Sequence, residues 1–191
     1  MSQSMAWYFS KVISEELGLD LSDPNLRETP QRLERMYQEI FANVGKEFTD
    51  FKAFPNDRDY KQLIMFDTIH FVSWCSHHFL PFEGKAWLGY IPKELLVGAS
   101  KPARLINHYS LRPQLQETLC DDVIKQFDRH IKPYGTIVAM RAIHGCMRCR
   151  GVKQQSGSGM TTSALSGVLM DDLKARDEAM RWIEMSLIMG G

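Results

Sequence analysis

The chain carries no excess of either charge, no long apolar run and few cysteines. Lys plus Arg total 23 and Asp plus Glu total 23, so the formal net charge is zero. A non-specific nucleic-acid binder usually shows a clear basic excess, and none is present. A near-zero charge favours association over self-repulsion. No apolar stretch approaches the ~18 residues needed to span a bilayer, so no membrane partner is expected. No basic stretch, apolar run and small-residue cleavage site follow one another at the N-terminus, so no signal peptide is expected. Four cysteines in 191 residues are too sparse for a secreted disulfide scaffold. Together these absences predict a reduced, cytoplasmic protein with free or metal-bound thiols. A length of 191 residues gives about one domain at ~150 residues each.

The N-terminal part reads as helical. Trp7, Tyr8, Val12, Ile13 and Leu17 suit a helix over 4–17, which Gly18 would stop. Thr29 and Pro30 read as an N-cap followed by proline at the first helical position. Leu33, Met36, Tyr37, Ile40 and Phe41 then predict a helix over 29–44. The pattern changes after Asn56. Residues 63–74 read as one or two strands, 84–92 as another, and 136–146 as a third. Leu115, Leu119, Val123 and Phe127, each four apart, predict a helix over 114–129. The stretch 151–167 is rich in Ser, Thr and Gly, and 171–187 reads as a last amphipathic helix. The organisation is a helical segment over 1–50 and a main portion over 51–191. The fold class is α+β, an antiparallel sheet with flanking helices.

Two short segments concentrate the metal-ligating side chains: Cys75-Ser76-His77-His78 and His144-Gly145-Cys146-Met147-Arg148-Cys149. Thiolate and imidazole are preferred zinc ligands, and two ligands separated by two residues can face one ion. Cys75/His78 with Cys146/Cys149 would make a closed Cys3His structural site. Cys75, His78 and Cys146 alone would make an open, catalytic one. If 137–148 is a strand, His144 and Cys146 share a face and Cys149 points away. That parity puts His144 beside the metal, where an imidazole suits proton transfer, and His77 is also within reach. A zinc nucleobase deaminase is excluded, because it needs His-x-Glu and Pro-Cys-x-x-Cys. No Glu follows a His by two here, and Gly145 precedes Cys146.

Basic residues cluster at Ser100-Lys101-Pro102-Ala103-Arg104 and at Arg148-Cys149-Arg150-Gly151-Val152-Lys153. With Gly157, Ser158, Gly159, Thr161, Thr162 and Ser163 as small donors nearby, they could hold a polyphosphate.

The set resembles the GTP cyclohydrolase I family over 26–168. The resemblance lies in Thr29-Pro30-Gln31-Arg32, Cys75-Ser76-His77-His78-Phe79-Leu80-Pro81-Phe82-Glu83-Gly84-Lys85, Tyr90-Ile91-Pro92, Ser100-Lys101-Pro102-Ala103-Arg104, Arg112-Pro113-Gln114-Leu115-Gln116-Glu117, and the run from His144 to Val152. It implies the tunnelling fold, assembled as a ring-shaped homodecamer with active sites between subunits. It implies Zn2+ on Cys75, His78 and Cys146, with no metal role for Cys149, and proton transfer by His77 and His144. Glu117, supported by Gln116, would anchor guanine, since a carboxylate can accept the N1 and 2-amino hydrogens in parallel. Ser100, Lys101, Arg104 and Arg150, with Arg32 of a neighbouring subunit, would bind the triphosphate of GTP. The implied reaction hydrolyses C8 of GTP, releases formate and yields 7,8-dihydroneopterin triphosphate. Ser76 stands where the family usually has glutamate, and Gly145 where it has a larger residue. A related tunnelling-fold enzyme acting on another purine or pterin, and a non-catalytic Cys3His zinc module, are the alternatives.

Overall fold

Ser4 starts the first helix in the computed structural model of the chain, which describes residues 3–154 and 158–189. Its hydroxyl accepts from the Trp7 N–H and caps α1 (Met5–Lys11). A π-helical turn (Val12–Glu16) extends α1, and Gly18, at φ +65°, ends it. Helix α2 spans Thr29–Ile40. Thr29 is its first helical residue rather than its cap. Glu28 holds the cap position without a capping bond from its side chain. Helix α2 also stops four residues short of the expected 44, giving way to turns after Ile40. Within this unit, Met1–Val44, Phe9 stacks on Tyr37 at 5.4 Å.

The second unit is Gly45–Gly191. Strands β1 (Ala53–Pro55) and β4 (Leu95–Val97) form a small antiparallel ribbon. The main sheet has the order β5-β2-β3-β6-β7. Its strands are β2 (Ile64–Cys75), β3 (Pro81–Ile91), β5 (Pro113–Gln114), β6 (Gly135–His144) and β7 (Met160–Gly167). A bulge between Phe66 and Ile69, with Thr68 at φ +51°, interrupts β2. It shifts parity by one, so Ile64 and Phe66 before it and Ile69 and Phe71 after it pack against one core. That shift is why the alternation reads ambiguously as one or two strands.

The expected antiparallel sheet needs correction, because β5 runs parallel to β2, pairing Trp74 with Pro113 and Cys75 with Gln114. The chain returns to β2 through helix α3 (Lys101–Ser110), and a crossover of this kind makes a parallel neighbour. The sheet is therefore mixed. The Ser/Thr/Gly-rich stretch, to which the sequence assigns no strand, contains β7. Eight residue pairs of β7 lie in register with β6, from Gly135↔Gly167 to Ala142↔Met160.

Helices α3 and α4 (Gln116–Ile131) cover one face of the sheet. Leu119, Val123 and Phe127 are completely buried there, each contributing about 2 kcal/mol of hydrophobic stabilisation. Leu115 is exposed and lies just before α4, outside that stripe. After β7 come the short α6 (Val168–Asp171) and the long α7 (Leu173–Met189). Ala179 and Ile183 of α7 pack with Trp87, Ile137 and Ala139 on the opposite face. Between β6 and β7 a single helical turn, α5 (Gly145–Arg148), follows directly on His144. Gly157 lies outside the described residues.

Candidate metal centre and its proton-transfer shell

The site forms where strands end. Cys75 is the last residue of β2, and its N–H donates to the Leu80 carbonyl at 2.9 Å. The turn between β2 and β3 folds back, with the Phe79 N–H donating to the Cys75 carbonyl at 2.8 Å. This brings both histidines of the turn to the cysteine. Nδ1 of His77 and Nδ1 of His78 each lie 3.8 Å from Cys75 Sγ. Strand β6 ends alongside, with His144 opposite Phe82 of β3. Their rings stack at 4.8 Å and 6°.

Ligand atoms of Cys75, His78 and Cys146 all lie within 4.8 Å of one another. Cys75 is buried, Cys146 half-buried and His78 exposed. Two sulfurs and an imidazole nitrogen are a donor set that zinc prefers, and three of them leave a fourth position for water or substrate. Burial and the neighbouring Cys75 thiol push the Cys146 thiol up, so a metal must displace a proton to bind there. Cys149, which the closed reading requires, is exposed and outside this group. The strand expected over 137–148 is cut short. Strand β6 stops at His144, and Cys146 sits on the helical turn α5. Cys120 is buried, its thiol pushed up to about 12 by desolvation, which suits an inert core residue.

The close approach of the two strand ends needs Gly145. A Cβ there would lie 2.8 Å from the Pro81 carbonyl oxygen. A larger side chain at this position forces a backbone shift at the junction of His144 and Cys146.

Gln116, the first residue of α4, is 1% exposed. Its amide nitrogen donates toward the Met140 and Met160 carbonyls, both at 3.1 Å, and Thr162 Oγ1 at 3.0 Å. Its amide oxygen lies 2.9 Å from His144 Nε2. Burial pushes the His144 imidazole down from its ordinary value, and the nearby Glu117 carboxylate opposes that shift. Glu117 itself is exposed. Phe82, Thr162 and Gly145 thus belong to the surroundings of His144. None carries a sequence signal for that role, since an apolar strand residue, a threonine and a glycine are common everywhere.

The candidate anion-binding residues have different partners. Arg150 Nη1 lies 2.6 Å from His78 Nε2, beside the metal cluster. Lys101 and Arg104, on α3, both meet Asp50. Lys101 Nζ lies 2.6 Å from Asp50 Oδ1, and Arg104 Nη1 2.9 Å from Asp50 Oδ2. The Lys101 hydrogen bond, then that of Arg104, holds the Asp50 carboxyl below its usual value. Ser100 precedes α3 and makes no capping bond with its side chain. Arg32 belongs to the other unit, on α2, and pairs with Glu28 at 3.0 Å.

An α+β chain whose strand ends converge on two thiols and an imidazole, with a half-buried histidine alongside, has the build of a metal-dependent enzyme. Comparison with known proteins gives the family. The model described as GTP cyclohydrolase I matches residues 8–184. A GTP cyclohydrolase 1 of Clostridioides difficile is 41% identical over 177 residues, covering 92% of this chain and 93% of that protein. Its namesake from Desulforamulus reducens is 39% identical over 180 residues, covering 94% and 93%. The chain belongs to the GTP cyclohydrolase I family.

Proposed function

We propose that the chain is a zinc-dependent GTP cyclohydrolase I, which hydrolyses at C8 of GTP, releases formate and forms 7,8-dihydroneopterin triphosphate. The observation that carries this reading is the three-ligand group of Cys75, His78 and Cys146 with a half-buried histidine, His144, two residues from one ligand. A zinc ion held there supplies Lewis-acid activation of water at neutral pH. His144 and His77 move protons: as the water oxygen bonds to C8, the C8=N7 double bond gives its electron pair to N7, one imidazole protonates N7, and the imidazole ring of the purine then opens. A second hydrolysis frees C8 as formate, and the ribose rearranges to close the new ring with loss of water. Glu117 takes the N1 and 2-amino hydrogens of guanine.

Lys101, Arg104, Arg150 and Ser100 hold the triphosphate, with Arg32 supplied by a neighbouring subunit. Two of these cations already converge on the oxygens of a single carboxylate, Asp50, which is the arrangement a phosphate group would use. We read the working unit as a tunnelling-fold ring, a homodecamer with sites between subunits. The zero net charge and the exposed Trp182, Met185 and Ile188 of α7 are in keeping with association. No helix among the described residues is long and apolar enough to cross a membrane. The four cysteines are free thiols, which suits a reducing, cytoplasmic setting.

Incubation of the purified, zinc-loaded protein with GTP tests the reading. Formate and a pterin that fluoresces after oxidation are expected in equal amounts. GTP left intact, or a ring-opened product without formate, would show that the chain does something else.

A further inference from the structure

We infer that Gln116 is a positioning residue that holds His144 as its Nε2–H tautomer, leaving Nδ1 as the atom that exchanges protons. One end of the Gln116 side chain faces the carbonyl oxygens of Met140 and Met160, both at 3.1 Å, as well as Thr162 Oγ1. Carbonyl oxygens can only accept, so the atom facing them is the NH2 group. The opposite orientation would press an oxygen against two carbonyl oxygens. The other end, facing His144 Nε2 at 2.9 Å, is therefore the amide oxygen, which can only accept. His144 must donate from Nε2, and in the neutral ring Nδ1 then carries the lone pair.

The surroundings make this a built arrangement. Gln116 is 1% exposed, so water cannot replace its partners. Met140 lies on β6, whereas Met160 and Thr162 lie on β7, and together they pin the amide plane. Phe82 stacks flat on the imidazole, 4.8 Å away and 6° from parallel, which resists rotation of the ring out of the Gln116 bond. Both N–H groups of the Gln116 amide point at these protein acceptors, and its oxygen faces His144. Gln116 therefore acts through His144 rather than on the purine, whereas Glu117, its exposed neighbour, is open to a ligand. The inference rests on the proton-transfer role of His144 proposed above, but the tautomer itself does not depend on turnover.

The test is magic-angle-spinning NMR of sedimented protein labelled with 15N-histidine, metal-free and zinc-loaded, at mildly alkaline pH. His144 is assigned by the signal missing from His144→Gln. The expected result is a protonated nitrogen correlated with both Hδ2 and Hε1, which marks it as Nε2. An unprotonated Nε2, or equal populations of the two tautomers, would overturn the inference. In Gln116→Met the tautomers should mix, and formate release should lose roughly tenfold in kcat with KM within about twofold, as for a mis-set imidazole. A raised KM at unchanged kcat would instead make Gln116 a substrate ligand and overturn the proposal. Should Gln116→Met fail to fold, the wild-type spectrum still decides, and Thr162→Val provides a milder loosening of the same amide. If GTP is not turned over but Nε2 is protonated, the enzymatic reading falls and the tautomer assignment stands.

Discussion

The metal-ligand cluster and the Lys101–Arg104 pair carry the two halves of the proposed chemistry, and they are held in different ways. Cys75, His144 and Cys146 sit at or just beyond strand ends, where backbone pairing across β2, β3 and β6 sets their positions. The groups around His144 are Gln116, Phe82 and Gly145, and none of them brings a charge. The cations of α3 are instead held by a charge, the Asp50 carboxylate, which is about half exposed. Strand ends and a buried amide keep their geometry whether or not a ligand is present. An ion pair with an exposed carboxylate can be exchanged for another anion at little net cost. On the proposed reading, the reacting groups are set by the backbone and the counter-ion Asp50 gives way to the anionic substrate.

The largest effect should come from the ligands. Cys146→Ser should lose its zinc and essentially all formate release, whereas Cys149→Ser should keep full zinc content by elemental analysis. Equal loss from both would mean that the fourth position is a protein ligand and that the first region is a closed structural site. Next, His144→Ala should retain zinc and lower kcat by on the order of 10²–10⁴. Wild-type formate release from that variant would remove His144 from the mechanism.

Gly145→Ala should perturb the rigid region without touching its chemistry. The new Cβ meets the Pro81 oxygen at 2.8 Å, and overpacking of this kind costs about 1–3 kcal/mol. A lowered Tm together with weaker zinc retention against a chelator is expected, and no change in either would mean that the junction yields freely. The smallest effect belongs to the other region. Asp50→Asn removes the resident anion from the buried Lys101 and the exposed Arg104, and KM for GTP should fall about twofold to threefold, in line with the modest worth of pairing to a half-exposed carboxylate. A KM that rises severalfold would show that Asp50 positions the two cations and does not compete with substrate.

Much of the helical architecture is legible from spacing, because a buried stripe leaves a strong period. Leu119, Val123 and Phe127 announce α4 this way. The strands are less legible. The bulge at Phe66/Ile69 breaks the alternation of β2, and β7 hides among Ser, Thr and Gly because its ladder to β6 is made by backbone groups. The donor set of the metal cluster can be read from Cys-x-x-His and His-x-Cys. The geometric reason for leaving out Cys149 cannot, since it depends on β6 stopping at His144. Asp50 is invisible as a partner of Lys101 and Arg104, because nothing local joins a loop carboxylate to a helix so far along the chain.

The sequence by itself determined which atoms are available: three thiols and one histidine at ligand spacing, two further histidines close to them in the chain, and clustered cations. Its motifs also determined the family to which the chain belongs. Only the tertiary structure decided how they are held. The orientation of the Gln116 amide depends on two carbonyls and a hydroxyl from β6 and β7, and those meet it only after the sheet has formed and α4 has packed. Hydrogen-bond donors and acceptors are written in the residue types, but which nitrogen of His144 carries the proton is set by a partner that folding brings to it.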